Sequence, residues 1–169
     1  MAIPGLKKVD HVGFTVPNLN EAIAFFQQHF DFELLYEFGP FKSDDDWMAA
    51  HLNVHPRAEV KKIAVMNAHN INLEIFEYAD NIPRNKQVPS NADIGGHHLA
   101  FYVEDMDSAV AYLHEHNIKV LAKPTESTDG PTAGETWVYF LTPWGMHLEF
   151  ATYPNGKAYQ RQAAVKVSR

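Results

Sequence analysis

The sequence predicts an α+β fold built from two copies of one βαβββ module. The first observation behind this prediction is an internal repeat, in which six residues recur 87 positions later in the chain: His11, Phe14, Val16, Ala22, Ala24 and His29. The second is a pair of similar segments around Glu74 and Glu149, which lie 75 positions apart. A duplicated unit, with extra residues in its first copy, explains both observations.

The first strand of each module carries a histidine on the face opposite its apolar side chains. Successive side chains of a strand point to opposite faces of the sheet. Phe14 and Val16 therefore share the packed face of the first copy, and His11 points away from it. His98 has the same position in the second copy, and this alignment selects it over its neighbour His97.

The elements that follow these strands have the same order in both modules. Asn18, with Glu21 three residues later, predicts the start of a helix through a capping box. Asp105 predicts the start of the second helix, over Met106–His116. The remaining strands are expected at residues 32–38, 60–66, 71–78, 118–121, 135–141 and 146–153.

The repeat also predicts how the chain divides. The expected segments are a first module at 8–78, a linker at 79–94, a second module at 95–153 and a tail at 154–169. Because the offset between the copies falls from 87 to 75, the first module contains an insertion. We place the insertion at about residues 39–57, where three aspartates precede a short helical pattern that ends before Pro56.

Composition excludes several classes of protein. The 169 residues contain no cysteine, so a disulfide framework and a thiolate metal site are both excluded. A net charge of -7 argues against a nucleic-acid partner. No apolar run approaches the length that spans a membrane, and residues 1–8 lack the apolar core of a signal peptide. We therefore expect a cytoplasmic protein with no membrane partner.

Each last strand carries a glutamate on the face opposite its apolar side chains, as the first strands carry histidines. If first and last strands are neighbours and the two sheets face each other, four side chains converge on one point: His11, Glu74, His98 and Glu149. Two imidazoles and two carboxylates suit one divalent ion, with nickel, cobalt, manganese, iron and zinc all acceptable. A single histidine or glutamate on a strand is more often structural, but the symmetry favours the metal site.

These residues also carry a family resemblance over residues 8–153. The segments around His11, Glu74, His98 and Glu149 resemble the vicinal oxygen chelate superfamily, which includes glyoxalase I, methylmalonyl-CoA epimerase, fosfomycin-resistance proteins and extradiol dioxygenases. The resemblance implies that the two modules form a curved, incomplete, mixed β-barrel around one divalent metal per site. It also implies a homodimer. Bleomycin-binding relatives lack the metal ligands, which this sequence retains.

A ligand set with two glutamates is closer to that of bacterial glyoxalase I than to the two-histidine, one-glutamate site of extradiol dioxygenases. The resemblance therefore favours an isomerase, epimerase or lyase that acts on a small polar substrate. Glu149 or Glu74 would remove a proton next to a metal-bound carbonyl or hydroxyl group and return it. Epimerisation and glyoxalase-type isomerisation both stay open. The alternatives are an extradiol-type dioxygenase and a fosfomycin-type transferase or drug-binding protein.

The insertion and the tail are the expected sources of substrate-binding groups. His51, His55 and Arg57 of the insertion could reach over the metal, and Lys157 of the tail could bind a substrate anion. A solvated surface helix is the alternative for the insertion. A long insertion combined with such a tail resembles cyclitol epimerases that act on a sugar-derived ketone. The 16-residue linker allows one metal site within a chain or an exchange of modules between two chains.

Overall fold

The computed structural model describes residues 3–161 of the chain. The chain forms two compact units, Met1–Lys86 and Gln87–Arg169. Each unit contains one β-sheet with helices, so the predicted α+β class is confirmed. Residues 162–169 of the predicted tail lie outside the described residues.

The first unit is built on a four-stranded sheet. Its elements are β1 (His11–Thr15), α1 (Leu19–Phe30), β2 (Glu33–Phe38), α2 (Trp47–Leu52), β3 (Val60–Asn67) and β4 (Asn72–Tyr78). The strand order is β1-β4-β3-β2. Only the pairing of β1 with β4 is parallel, so the first and last strands of the module are neighbours, as the predicted site requires.

The second unit repeats this arrangement. Its elements are β5 (His98–Tyr102), α3 (Met106–Glu115), β6 (Lys119–Val120), β7 (Thr125–Glu126), β8 (Thr136–Leu141), β9 (His147–Thr152) and α4 (Ala158–Arg161). The strand order is β5-β9-β8-β6, β5 is parallel to β9, and the short β7 pairs with β8. The sequence did not predict β7 or α4, and most strands are one or two residues shorter than expected.

Helix α1 begins after a side-chain N-cap and ends at a residue in the left-handed conformation. The Asn18 side chain accepts a hydrogen bond from the Glu21 amide at 3.1 Å, which confirms the predicted N-cap. Asp31 ends the helix in the left-handed conformation at φ 54°. Phe26 is fully buried, and its ring meets that of Phe14 edge-on at 6.4 Å. The helix therefore covers the face of the sheet that the sequence predicts as packed.

Helix α3 begins at the predicted residue. The Asp105 carboxylate accepts a hydrogen bond from the Ser108 amide at 3.0 Å, and the helix ends at Glu115, one residue before the predicted end. Met106 and Leu113 are its buried residues. Across residues 3–161, no helix has the length and apolar character needed to cross a membrane.

The insertion lies on the opposite face of the first sheet from α1. Met48 of α2 is fully buried in a cluster with Ile63 of β3, and Phe76 of β4 packs against the same cluster. Ile63 is directly opposite Phe76 in the sheet, and Phe76 alternates with Ile75, which faces α1. Glu74 and Phe76 are two residues apart on one strand, so the insertion covers the face that carries Glu74.

Candidate metal-binding and catalytic site

The first unit brings its predicted histidine and glutamate together. In the register of β1 and β4, Gly13 lies opposite Glu74, and His11 is two residues before Gly13 on the same face. The His11 Nε2 atom lies 3.4 Å from Glu74 Oε2. A Cβ atom added at Gly13 would lie 3.9 Å from the same carboxylate oxygen. Parallel pairing therefore places these two side chains side by side.

Asp10 orients the His11 ring from the side opposite Glu74. Its Oδ2 atom lies 3.2 Å from His11 Nδ1. The hydrogen bond to His11 and the charge of Lys8 lower the pKa of the Asp10 carboxyl below its ordinary value. An ionised carboxylate at Nδ1 favours the tautomer that carries its proton there, which leaves the Nε2 lone pair available as a ligand. The sequence analysis did not include Asp10, although its position directly before His11 was the available signal.

The second unit contains the equivalent pair of histidine and glutamate, and its two side chains lie closer together. His98 Nε2 lies 3.0 Å from Glu149 Oε2, and the side chain of Glu149 is 13% exposed. The Glu74 side chain in the first unit is 26% exposed. Ala100 lies opposite Glu149 in the parallel pairing, at the position that Gly13 has in the first unit. The second pair is therefore the more enclosed of the two.

Tyr139 is a member of this site that the sequence analysis missed. It lies opposite Glu149 in the pairing of β8 with β9, and its hydroxyl oxygen is 3.4 Å from His98 Nε2. Burial, the charge of Glu149 and a hydrogen bond to Glu149 all raise the pKa of the Tyr139 phenol. The available signal was the short gap between the strands expected at residues 135–141 and 146–153, because a tight turn at residues 142–145 fixes which residue of β8 faces Glu149.

His147 lies on the same face, next to His98 in the parallel pairing of β5 with β9. The residue is half-buried, and its Nδ1 atom is buried without a hydrogen-bond partner among the described residues. Its ring centroid is 6.5 Å from that of Tyr139. Imidazole, carboxylate and phenol groups are thus concentrated on the face of the second sheet that carries His98 and Glu149.

The donor atoms of each pair fit two neighbouring ligands of one metal ion. Ligand nitrogen and oxygen atoms at about 2.1 Å from an ion, and at right angles, lie about 3.0 Å apart. The distances of 3.4 Å and 3.0 Å between imidazole nitrogen and carboxylate oxygen are close to this value. Within residues 3–161, no three His, Asp or Glu side chains are grouped so that they could hold a metal ion. A four-ligand site that combines the two pairs therefore stays a prediction.

The predicted substrate-binding residues of the insertion contact other residues of the insertion. The Arg57 guanidinium donates to the backbone carbonyls of Ser43 at 3.1 Å and Asp45 at 2.7 Å. The Arg57 amide donates to His55 Nδ1 at 3.0 Å, and the His51 ring is 4.6 Å from that of Trp47. These contacts give the insertion a defined conformation on the face of the first sheet that carries Glu74. A role of these residues in substrate binding stays a prediction.

Lys157 of the tail contacts two other side chains of the second unit. Its ammonium group forms an ion pair with the buried carboxylate of Glu135 and lies 4.7 Å from the centre of the Tyr153 ring. The Arg161 guanidinium donates to the backbone carbonyl of Ala133 at 3.1 Å. The charge of Glu135 acts on the Tyr139 phenol and raises its pKa, so Lys157 lies near the face that carries Tyr139 and Glu149. The charge of Lys157 is thus already balanced within the protein.

Comparison with known proteins assigns the family. A model of the Glyoxalase/Bleomycin resistance protein/Dioxygenase superfamily matches residues 8–150. The chain belongs to this superfamily. The resemblance predicted from the residues around His11, Glu74, His98 and Glu149 is therefore confirmed.

Three known proteins illustrate the similarity. A 2-epi-5-epi-valiolone epimerase from Actinomyces sp is 42% identical over 98% of this chain and 90% of its own length. A glyoxalase family protein from Bacillus cereus has a TM-score of 0.68 and 18% identity, covering 89% of this chain and 98% of its own. A fosfomycin resistance protein from Listeria monocytogenes has a TM-score of 0.58 and 14% identity, covering 92% and 98%. The two solved structures show the fold alone.

Superfamily membership and the epimerase relative confirm one functional prediction, that the chain is an enzyme of the isomerase or epimerase type.

Proposed function

We propose that this chain is a divalent-metal-dependent epimerase that acts on a small polyhydroxylated cyclic ketone. Its metal ligands are His11, Glu74, His98 and Glu149. The observation that carries the proposal is the repeated pair of one imidazole nitrogen and one carboxylate oxygen, at 3.4 Å in the first unit and 3.0 Å in the second. Nickel, cobalt, manganese, iron and zinc all accept this combination of ligands.

The residues of the site match the chemistry of epimerisation next to a carbonyl group. A divalent ion held by His11, Glu74, His98 and Glu149 would supply Lewis acidity, which makes a C–H group next to a substrate carbonyl easier to deprotonate. Glu149 or Glu74 then acts as the general base and removes that proton. The other carboxyl group returns a proton to the opposite face of the same carbon, which inverts its configuration. Both carboxylates are partly enclosed, with 26% of the Glu74 side chain and 13% of the Glu149 side chain exposed, so each can still exchange its proton with solvent.

The identity of the relative supports this reaction over glyoxalase-type isomerisation. The Actinomyces protein is 42% identical over nearly the whole chain, and its name describes the epimerisation of a ketone, 2-epi-5-epi-valiolone. We infer that this chain acts on the same ketone or on one of the same class. Glyoxalase-type and dioxygenase-type reactions have no support beyond shared superfamily membership.

The insertion and the tail complete the proposal as the substrate-binding elements. The insertion covers the face that carries Glu74, and the tail lies next to the face that carries Glu149. Arg57 and Lys157 already have protein partners, so we expect His51 and His55 to make the more direct contacts with substrate hydroxyl groups. His51→Ala should raise KM several-fold and change kcat little. An unchanged KM would remove His51 from this role.

The proposal includes a homodimer. Leu35, Tyr36 and Phe38 of β2, a strand at the edge of its sheet, are 45%, 53% and 48% exposed. Exposed apolar side chains on an edge strand favour association with another surface. Sedimentation equilibrium should give twice the chain mass, and a monomer at micromolar concentration would contradict this part of the proposal.

Solvent deuterium exchange tests the reaction directly. The metal-free enzyme is loaded with cobalt, manganese or nickel and incubated with 2-epi-5-epi-valiolone in D₂O. We expect the epimer to form and to carry deuterium at the carbon next to the ketone, whereas chelator-treated enzyme should give neither. Glu149→Gln should abolish exchange if this residue is the base. Absence of exchange with every metal would overturn the proposed function.

A further inference from the structure

We propose that Tyr139 is a positioning residue, whose hydroxyl group holds the Glu149 carboxylate and the His98 ring in the arrangement that binds the metal. This inference rests on the proposed function, because it takes His98 and Glu149 as ligands. It adds a residue that neither the repeat pattern nor the family comparison assigns. It also makes the two halves of the proposed site chemically unequal.

The register of the second sheet places Tyr139 between the two ligands. Glu149 lies opposite Tyr139 in β8 on one side and opposite Ala100 in β5 on the other. Directly opposite residues share a face, so all three side chains project to the same side. The methyl group of Ala100 leaves room above β5, and the Tyr139 hydroxyl reaches the imidazole of His98 at 3.4 Å. One phenol thus contacts both members of the pair.

The Tyr139 ring is held by three other aromatic rings. The ring of His98 meets it edge-on at 5.0 Å and 86°, that of Trp137 at 5.5 Å and 65°, and that of His147 at 6.5 Å and 85°. Edge-to-face contacts at these distances are favourable, and together they restrict the rotamer of the ring. A hydroxyl group on a restricted ring can orient its acceptors at little cost in conformational entropy.

The phenol is suited to act as a hydrogen-bond donor to Glu149. The ordinary phenol pKa of about 10 already keeps the proton on the oxygen at neutral pH. A hydrogen bond joins the Tyr139 hydroxyl to the Glu149 side chain. A phenol has one proton to donate, and once His98 Nε2 serves as a ligand, the Glu149 carboxylate is its remaining acceptor. The hydroxyl then fixes the direction of the carboxylate.

The first unit has no hydroxyl group equivalent to that of Tyr139 on the strand opposite Glu74. Val65 of β3 lies opposite Glu74 at the position that Tyr139 has opposite Glu149. Valine has no group that can donate a hydrogen bond, so nothing equivalent fixes the Glu74 carboxylate from that strand. The Glu74 side chain is also twice as exposed as that of Glu149, at 26% against 13%. The second unit therefore offers the pre-organised half of the ligand set.

The test compares Tyr139→Phe with Tyr102→Phe. Tyr139→Phe removes only the hydroxyl group and keeps the ring contacts. Tyr102 projects from the same face of the second sheet, and its ring packs against Tyr153 at 4.8 Å, so Tyr102→Phe is the matched control. Histidine NMR signals are recorded for each metal-free protein, and cobalt(II) is then titrated while its absorption spectrum and its Kd are measured. Thermal unfolding confirms that both variants fold.

We expect Tyr139→Phe to shift the His98 imidazole signals in the metal-free protein and to leave the His11 signals in place. Cobalt should bind this variant about 10- to 100-fold more weakly, which is the usual effect of losing a group that orients a ligand. Tyr102→Phe should behave as the wild type in both measurements. An unshifted His98 signal together with an unchanged cobalt Kd would overturn the inference.

The two proposals fail in different ways. If wild-type protein binds no divalent metal, the proposed function fails, while the His98 signals of the metal-free protein still test the contact with Tyr139. If wild-type protein binds cobalt and Tyr139→Phe binds it equally well, the proposed function stands and the positioning role fails. A raised KM with an unchanged cobalt Kd would also contradict the positioning role, because Tyr139 would then contact the substrate instead.

Discussion

His98 Nε2 lies 3.0 Å from Glu149 Oε2, although the two residues belong to the first and last long strands of their unit. The parallel pairing of β5 with β9 creates this proximity. The first unit reaches the same result through β1 and β4, where His11 meets Glu74. A duplicated fold has therefore produced the same pair of potential ligands twice.

The choice of His98 over the adjacent His97 is testable by metal binding. His97 Nδ1 contacts the backbone carbonyl of Gly95 at 3.1 Å, and only His98 lies beside Glu149. We expect His98→Ala to lose at least 100-fold in affinity for cobalt(II), measured by calorimetry, because a ligand of the ion is removed. His97→Ala is the control and should bind as the wild type. Equal losses in both variants would argue against this assignment.

Glu77 should make the stability of the first unit depend on pH. Its buried carboxylate accepts hydrogen bonds from the Leu19 amide at 2.8 Å and from Lys61 Nζ at 2.5 Å. Burial acts to raise the pKa of Glu77, but the hydrogen bonds from Lys61 and Leu19 outweigh it and the pKa is lowered. The ionised form thus stabilises the fold above the ordinary glutamate pKa of about 4.3, and this contribution is lost as the pH falls through the lower folded value.

We therefore expect Glu77→Gln to lower the free energy of unfolding by about 1–3 kcal/mol at pH 7. The difference from wild type should shrink as the pH falls below about 4, measured by urea unfolding across a pH series. Glu37→Gln is the control, because Glu37 pairs with Lys62 at the surface at 3.5 Å and should change little. A difference for Glu77→Gln that is the same at pH 7 and at pH 3 would contradict the assignment.

Met48 should anchor the insertion to the first sheet. It is fully buried in the cluster with Ile63, whereas His51, one turn later in α2, is exposed. Met48→Ala should lower the free energy of unfolding by about 2–5 kcal/mol, because it leaves a cavity between helix and sheet. His51→Ala should change it by less than about 0.5 kcal/mol. Chemical denaturation measures both, and a Met48→Ala variant as stable as His51→Ala would show that the insertion is not packed there.

The ion pair of Glu135 with Lys157 should couple the tail to the second unit. Both side chains are largely buried, with 8% and 18% exposed. Lys157→Met leaves a buried carboxylate without its partner and should cost about 1–3 kcal/mol in unfolding free energy. Adding Glu135→Gln to this variant should recover part of the loss, because the unpaired charge is removed. Strictly additive losses in the double-mutant cycle would mean that the pair contributes no interaction energy.

Much of the fold was predictable because its signals are local. The N-caps at Asn18 and Asp105 depend on residues three positions away, and both are present in the structure. The turn after β8 is equally local, and its Gly145 amide donates to the Thr142 carbonyl at 3.0 Å. The pairing of first and last strands entered the sequence analysis only as a condition for the site, and the structure shows this pairing in both units.

The parts that were missed depend on contacts between distant residues. Strand β7 has only two residues, Thr125 and Glu126, which is too short for a detectable alternation. The ion pair of Lys157 with Glu135 forms only because the tail turns back to the loop before β8, where the Ala158 amide donates to the Ala133 carbonyl at 3.0 Å. Tyr139 was not predicted as a site residue, because an aromatic residue in a strand is usually a packing residue, and only the cross-strand register reveals its contact with His98.

One titration tests most directly the central claim that the two pairs share one ion. Metal-free wild-type protein, His11→Ala and His98→Ala are each titrated with cobalt(II), and the number of ions bound per chain is counted by calorimetry and by absorption. We predict one tightly bound ion per chain in the wild type, and its loss in both variants, because each removes a ligand of the same ion. Two ions per chain in the wild type, with one retained in each variant, would contradict the account.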